Sequence, residues 1–250
     1  MDKILGQGKT ATIYLRDSYA VKEYEERMDQ RFIDHEKEIV KSVLEQTEIL
    51  VPKIYESKDR QIKMDWIDGV SLGDRMQKDK YKLACEDMVD LQMQIHAYQG
   101  VLRENAHLVY KEIIEKSKVS KDLKDMALAS LEKVTVGEQL CHFDLHPLNI
   151  MYDQKDYYVI DWMNAKNANP ILDIARTYII LRRVAYRFSG KYLTMITKKY
   201  KLKKEQVYQA IPAIALIRFL VDNALEDEAY LKDLMKEYSQ YWKEPYEILS

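Results

Sequence analysis

Three residues in the second half of the chain carry oxygen donors at spacings that chemistry can use. Asp144 and Asn149 stand five apart in Cys141-His142-Phe143-Asp144-Leu145-His146-Pro147-Leu148-Asn149, which matches the loop pattern H-x-D-L-x-x-x-N. Asp144 can accept or orient the proton of an attacking hydroxyl, and the Asn149 amide oxygen suits Mg²⁺, a hard cation that prefers oxygen. The strand-like Tyr157-Tyr158-Val159-Ile160 then runs into Asp161, 17 residues after Asp144. A second carboxylate there completes a magnesium site facing the β- and γ-phosphates of a nucleotide. The chemistry these residues point to is phosphoryl transfer to a hydroxyl.

Phosphate handling has a second set of candidates near the N-terminus. Gly6 and Gly8 fall in Gly6-Gln7-Gly8-Lys9-Thr10-Ala11, between two strand-like runs. Glycines let a backbone approach a phosphate closely and offer N–H groups, although a plain hairpin turn would look the same. The loop is not a Walker A motif, and strand follows it where a dinucleotide-binding turn would have helix. Lys22, in Tyr19-Ala20-Val21-Lys22, stands on the next strand candidate. In the helical segment after it, Phe32, Ile33, Ile39, Val40, Val43 and Leu44 share one apolar stripe at 100° per residue, and Glu36 falls near its middle. A carboxylate on an inward face needs a partner, since burying it alone costs several kcal/mol. Lys22 is the natural one, and a Lys–Glu pair aims the lysine at phosphate oxygens; a partly wet helix edge is the alternative for Glu36.

These residues need elements to hold them. Strand-like runs cover 3–5, 11–15, 19–23, 53–57 and 61–66, interrupted by one helix near 28–46. From about residue 71 the texture becomes helical, with segments near 83–99, 105–116, 120–134, 171–188, 203–222 and 225–242. A short β-like island at 140–142, 149–152 and 157–161 carries the Asp144–Asp161 constellation. The expected fold is α+β, with a small β-rich lobe over 1–66, a linker at 67–70, and a larger, mostly helical lobe over 71–250. A ligand cleft is expected between the lobes.

Composition narrows the possibilities. In 250 residues, 39 Lys+Arg face 41 Asp+Glu for a net charge of −2, with 47% hydrophobic and 32% charged residues. Such a balance argues against nucleic-acid binding as the main task. No apolar run approaches the roughly 18 residues of a membrane span, and Ile211–Leu220 with its Arg218 reads as a buried helix. No secretory leader is evident in the opening residues, and Cys85 and Cys141 neither build a disulfide framework nor show metal-ligand spacing. A cytoplasmic protein with no membrane and no nucleic-acid partner is expected.

Taken together, the motifs resemble the aminoglycoside phosphotransferase and choline kinase-like family, small-molecule kinases with a protein-kinase-like bilobal fold. The resemblance runs over nearly the whole chain. It rests on the Gly6–Ala11 loop, Lys22, Glu36 in His35-Glu36-Lys37-Glu38, the Met64–Gly69 linker, His142-x-Asp144-x-x-x-x-Asn149, Val159-Ile160-Asp161-Trp162, and Asn169-Pro170-Ile171-Leu172-Asp173-Ile174-Ala175-Arg176. It implies an enzyme that uses ATP, or GTP, with Mg²⁺ to phosphorylate a hydroxyl of a small molecule. By this resemblance Asp144 is catalytic, Asn149 and Asp161 bind the metal, and Lys22 contacts the α/β-phosphates with Glu36 holding it. The backbones of Asp65 and Ile67 meet the adenine edge, and Asp173 is a buried acid that fixes the catalytic loop.

Departures from the protein-kinase pattern bear on the substrate. Phe143 replaces the arginine that reads activation-loop phosphate, and Trp162 and Met163 follow Asp161 where D-F-G has phenylalanine and glycine. Only the eleven residues 162–172 separate Asp161 from Asp173, too few for a peptide platform, so a small acceptor ranks above a protein. A nucleotide-binding pseudokinase scaffold is the other alternative, disfavoured because Lys22, Asp144, Asn149 and Asp161 are all present. His146 stands where protein kinases carry a lysine near the transferred phosphate, and either contacts that phosphate or braces the loop. His96 lies off its helix's apolar stripe and is expected in a helix-to-loop hydrogen bond. The lysine-rich 198–204 reads as a solvated turn between helices. A polycationic acceptor would need an acidic wall, for which Glu226-Asp227-Glu228 and Glu244 are candidates.

Overall fold

Alternating apolar residues and tight turns make the N-terminal strands, and the computed structural model places them in one antiparallel sheet. It describes residues 2–8, 10–221 and 228–243. In chain order come β1 (Lys3–Gln7), β2 (Ala11–Arg16), β3 (Tyr19–Tyr24), α1 (Gln30–Gln46), β4 (Ile54–Lys58), β5 (Gln61–Asp65), β6 (Val70–Ser71) and α2 (Leu72–Lys78). Then follow α3 (Ala84–His96), α4 (Ala106–Lys116), α5 (Lys121–Glu132), β7 (Gln139–Cys141), a 3-10 turn at Pro147–Asn149, β8 (Ile150–Tyr152), β9 (Tyr157–Val159) and β10 (Lys166–Ala168). Helices close the described chain: α6 (Pro170–Val184), α7 (Tyr186–Tyr200), α8 (Lys204–Val221), α9 (Glu228–Tyr238) and α10 (Gln240–Lys243). The fold is mixed α+β, as expected, with an N-terminal antiparallel sheet and a larger helical part.

Packing divides the chain into two compact units. The first joins the residues up to Ala84 with Asp144–Ala165; the second joins Cys85–Phe143 with the chain from Lys166 onward. In the first unit the sheet runs β1-β2-β3-β5-β4, which makes β3 the central strand. Lys22 pairs across to Ile13 on one side and Ile62 on the other. Asp29 caps α1, its side chain accepting the Arg31 N–H at 2.9 Å. Ile33, Ile39, Val40 and Val43 of α1 are buried, and so is Glu36; Phe32 and Leu44, at the stripe's edges, are exposed. A second sheet, β6-β8-β9, holds the island that follows Asp144. Gly69 is required where the chain enters β6: a Cβ there would lie 2.2 Å from the Tyr152 carbonyl oxygen.

In the second unit α6 and α8 both feed the core, with Leu172, Ile174, Ile179, Ile211, Ile214 and Ile217 fully buried or nearly so. α8 confirms the reading of 211–220 as a buried helix, whereas of 198–204 only 201–203 form the turn, with Lys201 ending α7 in the left-handed conformation and the flanking lysines belonging to α7 and α8. The segment expected as one helix over 171–188 is broken at Ala185 (φ −150°, ψ 63°), where α6 ends and α7 begins. No glycine or proline marks that break, so periodicity ran through it. Among the described residues no helix is long and apolar enough to cross a membrane.

Candidate active site

The first unit gathers every residue the sequence singled out for phosphate, metal and catalysis. β3 presents Lys22, buried on both sides by neighbouring strands, and α1 presents Glu36 from its inward face. The ammonium lies 3.2 Å and 3.1 Å from the two Glu36 oxygens and 3.0 Å from Asp161 Oδ1. Burial works to lower the lysine's pKa, but the Asp161 and Glu36 carboxylates beside it outweigh that and hold it well above the ordinary value. Lys22 is therefore a cation at any physiological pH. The hydroxyl of Tyr24, two residues on, donates to Glu36 Oε2, a contact that sequence reading missed.

The Asp144–Asn149 loop is locked by its own hydrogen bonds. His146 caps the 3-10 turn, its Nδ1 accepting the Leu148 N–H at 3.3 Å, and Pro147 starts the turn. The Asn149 amide nitrogen donates to the Asp144 carbonyl at 2.9 Å and to the Asp144 carboxylate at 3.3 Å. With the Asn149 nitrogen so engaged, its side-chain oxygen is left to accept a hydrogen bond or offer a lone pair to a cation. His146 Nε2 lies 4.0 Å from Asp144 Oδ2. Because Nδ1 accepts, the ring proton sits on Nε2, toward the acid.

β8 and β9 bring Asp161 back beside this loop. Ile150 pairs with Val159, and the Ile160 N–H donates to the Asn149 carbonyl at 3.0 Å. Asp161 itself adopts φ 65°, the left-handed region, which Asp tolerates better than most residues. The fully buried Trp162 anchors the turn, its indole N–H donating to the Val159 carbonyl at 3.0 Å.

The glycine loop and linker are simpler. Gly8 N–H donates to the Ala11 carbonyl at 2.8 Å and closes the β1–β2 turn; Lys9 lies outside the described residues. A Cβ at Gly6 would meet nothing within 4 Å, and one at Gly8 would make only an ordinary 3.5 Å contact. Neither packing nor a positive φ demands glycine at these positions. Asp65 ends β5, and its carboxylate is held by the Lys53 N–H at 3.0 Å and the Tyr55 hydroxyl at 2.8 Å. Ile67 is half-buried in the coil before β6. Of the acidic candidates, Glu226, Asp227 and Glu244 lie outside the described residues, and Glu228 pairs with Lys232.

The second unit contains the brace expected around Asp173. This fully buried acid accepts the Phe143 N–H at 2.7 Å on one oxygen, and His96 Nε2 (2.7 Å) and Gln92 Nε2 (2.9 Å) on the other. Burial pushes the carboxyl up, but the His96 hydrogen bond and charge, with Gln92, hold it below the ordinary value. His96 thus bonds to another helix where a loop was expected, and its Nδ1 meets the Tyr200 hydroxyl at 2.7 Å. Phe143, next in the chain to Asp144, sits at φ 60°, a strained conformation for a bulky residue.

Known proteins share this architecture. An aminoglycoside phosphotransferase APH(4)-Ia variant, solved with ADP and hygromycin B, superposes with a TM-score of 0.70 at 13% identity, over 96% of this chain and 94% of that one. The choline kinase LicA from Streptococcus pneumoniae gives 0.59 at 15% identity, over 97% and 93%. A choline/ethanolamine kinase family protein from Mesorhizobium loti gives 0.60 at 12% identity, over 98% and 89%. At such identities the likeness is one of fold. No curated protein sequence matches the chain significantly. The model of the phosphotransferase enzyme family, however, matches residues 3–211, a span that takes in both the Lys22–Glu36 pair and the Asp144–Asp161 loop, and the chain is a member of that family.

Proposed function

We propose that the protein transfers the γ-phosphate of ATP, with GTP a possible substitute, to a hydroxyl group of a small molecule in the presence of Mg²⁺. The observation that carries this reading is the position of Lys22: one buried ammonium held within 3.2 Å of Glu36 and 3.0 Å of Asp161, partners contributed by α1 and by the turn after β9. Lys22 grips the α/β-phosphates, and Glu36 fixes its direction. Gly6 and Gly8, which the fold does not require as glycines, leave room for phosphate above the β1–β2 turn. The backbones of Asp65 and Ile67 meet the base, and 67–70 acts as linker between a 1–66 lobe and a 71–250 lobe.

The metal site fits the residues present: an amide oxygen from Asn149 and a carboxylate from Asp161 are both hard donors suited to Mg²⁺. When bound, the ion would neutralise charge on the phosphate oxygens. Asp144 orients the acceptor hydroxyl and takes its proton at a carboxylate oxygen. The Asn149 amide holds Asp144 in place from one side, and the His146 Nε2 lies 4.0 Å from it on another, where His146 would meet a phosphate oxygen or brace the loop.

The acceptor class, an aminoglycoside-, choline- or sugar-like alcohol, rests on the neighbours' ligands and on the short 162–172 segment, which leaves no room for a peptide platform. A cytoplasmic site of action, where ATP and Mg²⁺ are supplied, belongs to the same reading. The test is a phosphate-transfer screen against aminoglycosides, amino alcohols, sugars and nucleosides, with Asp144→Asn as blank. Transfer to one class, falling roughly 10²–10⁴-fold in the variant while Mg-nucleotide binding persists, is expected. Undiminished transfer by the variant overturns the assignment of Asp144. Nucleotide binding with no transfer to any acceptor favours a scaffold.

A further inference from the structure

Lys22 and Glu36 are two parts of a larger buried assembly. Alternation along β3 puts residue 24 on the same face as residue 22, and that residue is a tyrosine. Only 4% of Tyr24 is exposed, and its ring packs in the core of the first unit with Ala11, Ile33 and Ile62. Its hydroxyl donates to Glu36 Oε2, the same oxygen that Lys22 approaches at 3.1 Å. The Lys22 ammonium also lies 5.0 Å from the centre of the Tyr24 ring, within range of the ring's electron-rich face.

The sharing of Lys22 gives this phenol a purpose. One ammonium serves two carboxylates, Glu36 and Asp161. Lys22 is shared, and any phosphate drawing on it weakens its hold on Glu36. A buried carboxylate that loses a donor is costly. The Tyr24 hydroxyl supplies a donor that is neutral and rooted in the core, so it keeps Glu36 in place without competing for phosphate. Burial and the Glu36 charge raise its pKa, against the pull of Lys22, and it stays a protonated donor throughout the working range.

We infer that Tyr24 is a positioning residue for the phosphate-gripping lysine: its hydroxyl anchors the Glu36 carboxylate from β3, so that Lys22 keeps its aim when a nucleotide arrives. This inference rests on the proposed role of Lys22, and deepens it with a second residue of the same strand. The aromatic ring fills the core, while the oxygen acts on the site, and the two jobs can be separated by removing one atom.

The experiment is a double-mutant cycle read by calorimetric titration with Mg-ADP, which involves no turnover. Tyr24→Phe keeps the ring and its packing. It is expected to weaken Mg-ADP binding roughly tenfold, as loss of a hydrogen bond to a charged group does, and to raise KM for the nucleotide more than it lowers kcat. In a Glu36→Gln background the same change is expected to alter binding less than about twofold, because the charged acceptor is already gone. Melting of the nucleotide-free variants provides the check on folding, and Tyr24→Leu, which loses ring and hydroxyl together, should show a much larger stability loss with a similar binding loss. Unchanged Mg-ADP affinity in Tyr24→Phe overturns the inference and leaves the proposed function standing. An equal loss in both backgrounds also overturns it, since the hydroxyl would then act by a route other than Glu36. Failure of the wild-type protein to bind any Mg-nucleotide overturns this inference and the proposed function together.

Discussion

Two buried acids, Glu36 in the first unit and Asp173 in the second, sit in differently built surroundings. Asp173 is closed: both oxygens are filled by donors from Phe143, His96 and Gln92, and nothing of it is exposed. Glu36 belongs to an open set, in which Lys22 divides itself between Glu36 and an Asp161 whose side chain is 43% exposed. A closed set can only hold its shape. An open set whose one ammonium is shared can exchange partners, which is what a ligand-binding group has to do. The same substitution, aspartate to asparagine, therefore separates the two kinds of site.

In the closed set the effect should be the largest in the molecule. Asp173→Asn replaces one acceptor oxygen by an amide that faces donors, stranding at least one of the Phe143, His96 and Gln92 groups in the core. We expect a loss of about 3–5 kcal/mol of unfolding free energy, measured by urea titration. In the open set, Asp161→Asn removes the charge of a carboxylate whose side chain is 43% exposed and leaves Lys22 paired with Glu36. Stability should stay within about 1 kcal/mol of wild type, while Mg-dependent transfer falls at least roughly a hundredfold. If both variants lose stability equally, the distinction between the two sets is wrong.

The two sets also part at opposite ends of the pH scale. Asp173 has its pKa held below the ordinary 3.8, so its stabilisation is fully present above that value and disappears as pH falls through the lower folded value. Lys22 is held above the ordinary 10.5, so its contribution is complete below that value and is lost only as pH rises through the higher folded one. Between these limits neither group titrates. The stability gap between wild type and Asp173→Asn should narrow below about pH 4, a result that urea titrations at several acid pH values would reveal.

How legible these two sites were in the sequence follows from the range of the contacts. Glu36 was readable because helical phase alone puts it on a buried face, and the nearby lysine on β3 was the obvious partner. Asp144 and Asn149 were readable because one loop carries both. Tyr24 was not singled out, although its spacing from Lys22 on a strand was a usable signal; among 19 tyrosines it read as core, which its ring is. The Lys22–Asp161 contact spans 139 residues and the His96–Asp173 contact 77. No local rule reports such pairings, and only the family resemblance anticipated that Asp161 and Lys22 serve one ligand. The missed α2 is short and carries Gly73, and the break at Ala185 has no turn residue to announce it. The β-strands of the N-terminal sheet were placed well, because period-two patterns bounded by turns survive in short segments.

The smallest expected effect tests how firmly the open set's loop is tied to its surroundings. Gly73 lies buried in α2, and an added Cβ would come within 2.6 Å of Leu148 Cδ2, in the 3-10 turn that ends at Asn149. Helix propensity favours alanine there by about 0.5–1 kcal/mol, and the clash opposes it. The atom that must move is the tip of a leucine side chain 60% exposed to solvent, and it has room to turn outward while the Asn149 backbone stays bonded to His146 at 2.9 Å. Gly73→Ala should therefore leave stability within about 1 kcal/mol and transfer within about twofold of wild type, by urea titration and initial rates. A tenfold loss of transfer at unchanged stability would instead place Leu148 among the contacts that hold Asn149 in register, and would make the loop before Asp161 as closed as the surroundings of Asp173.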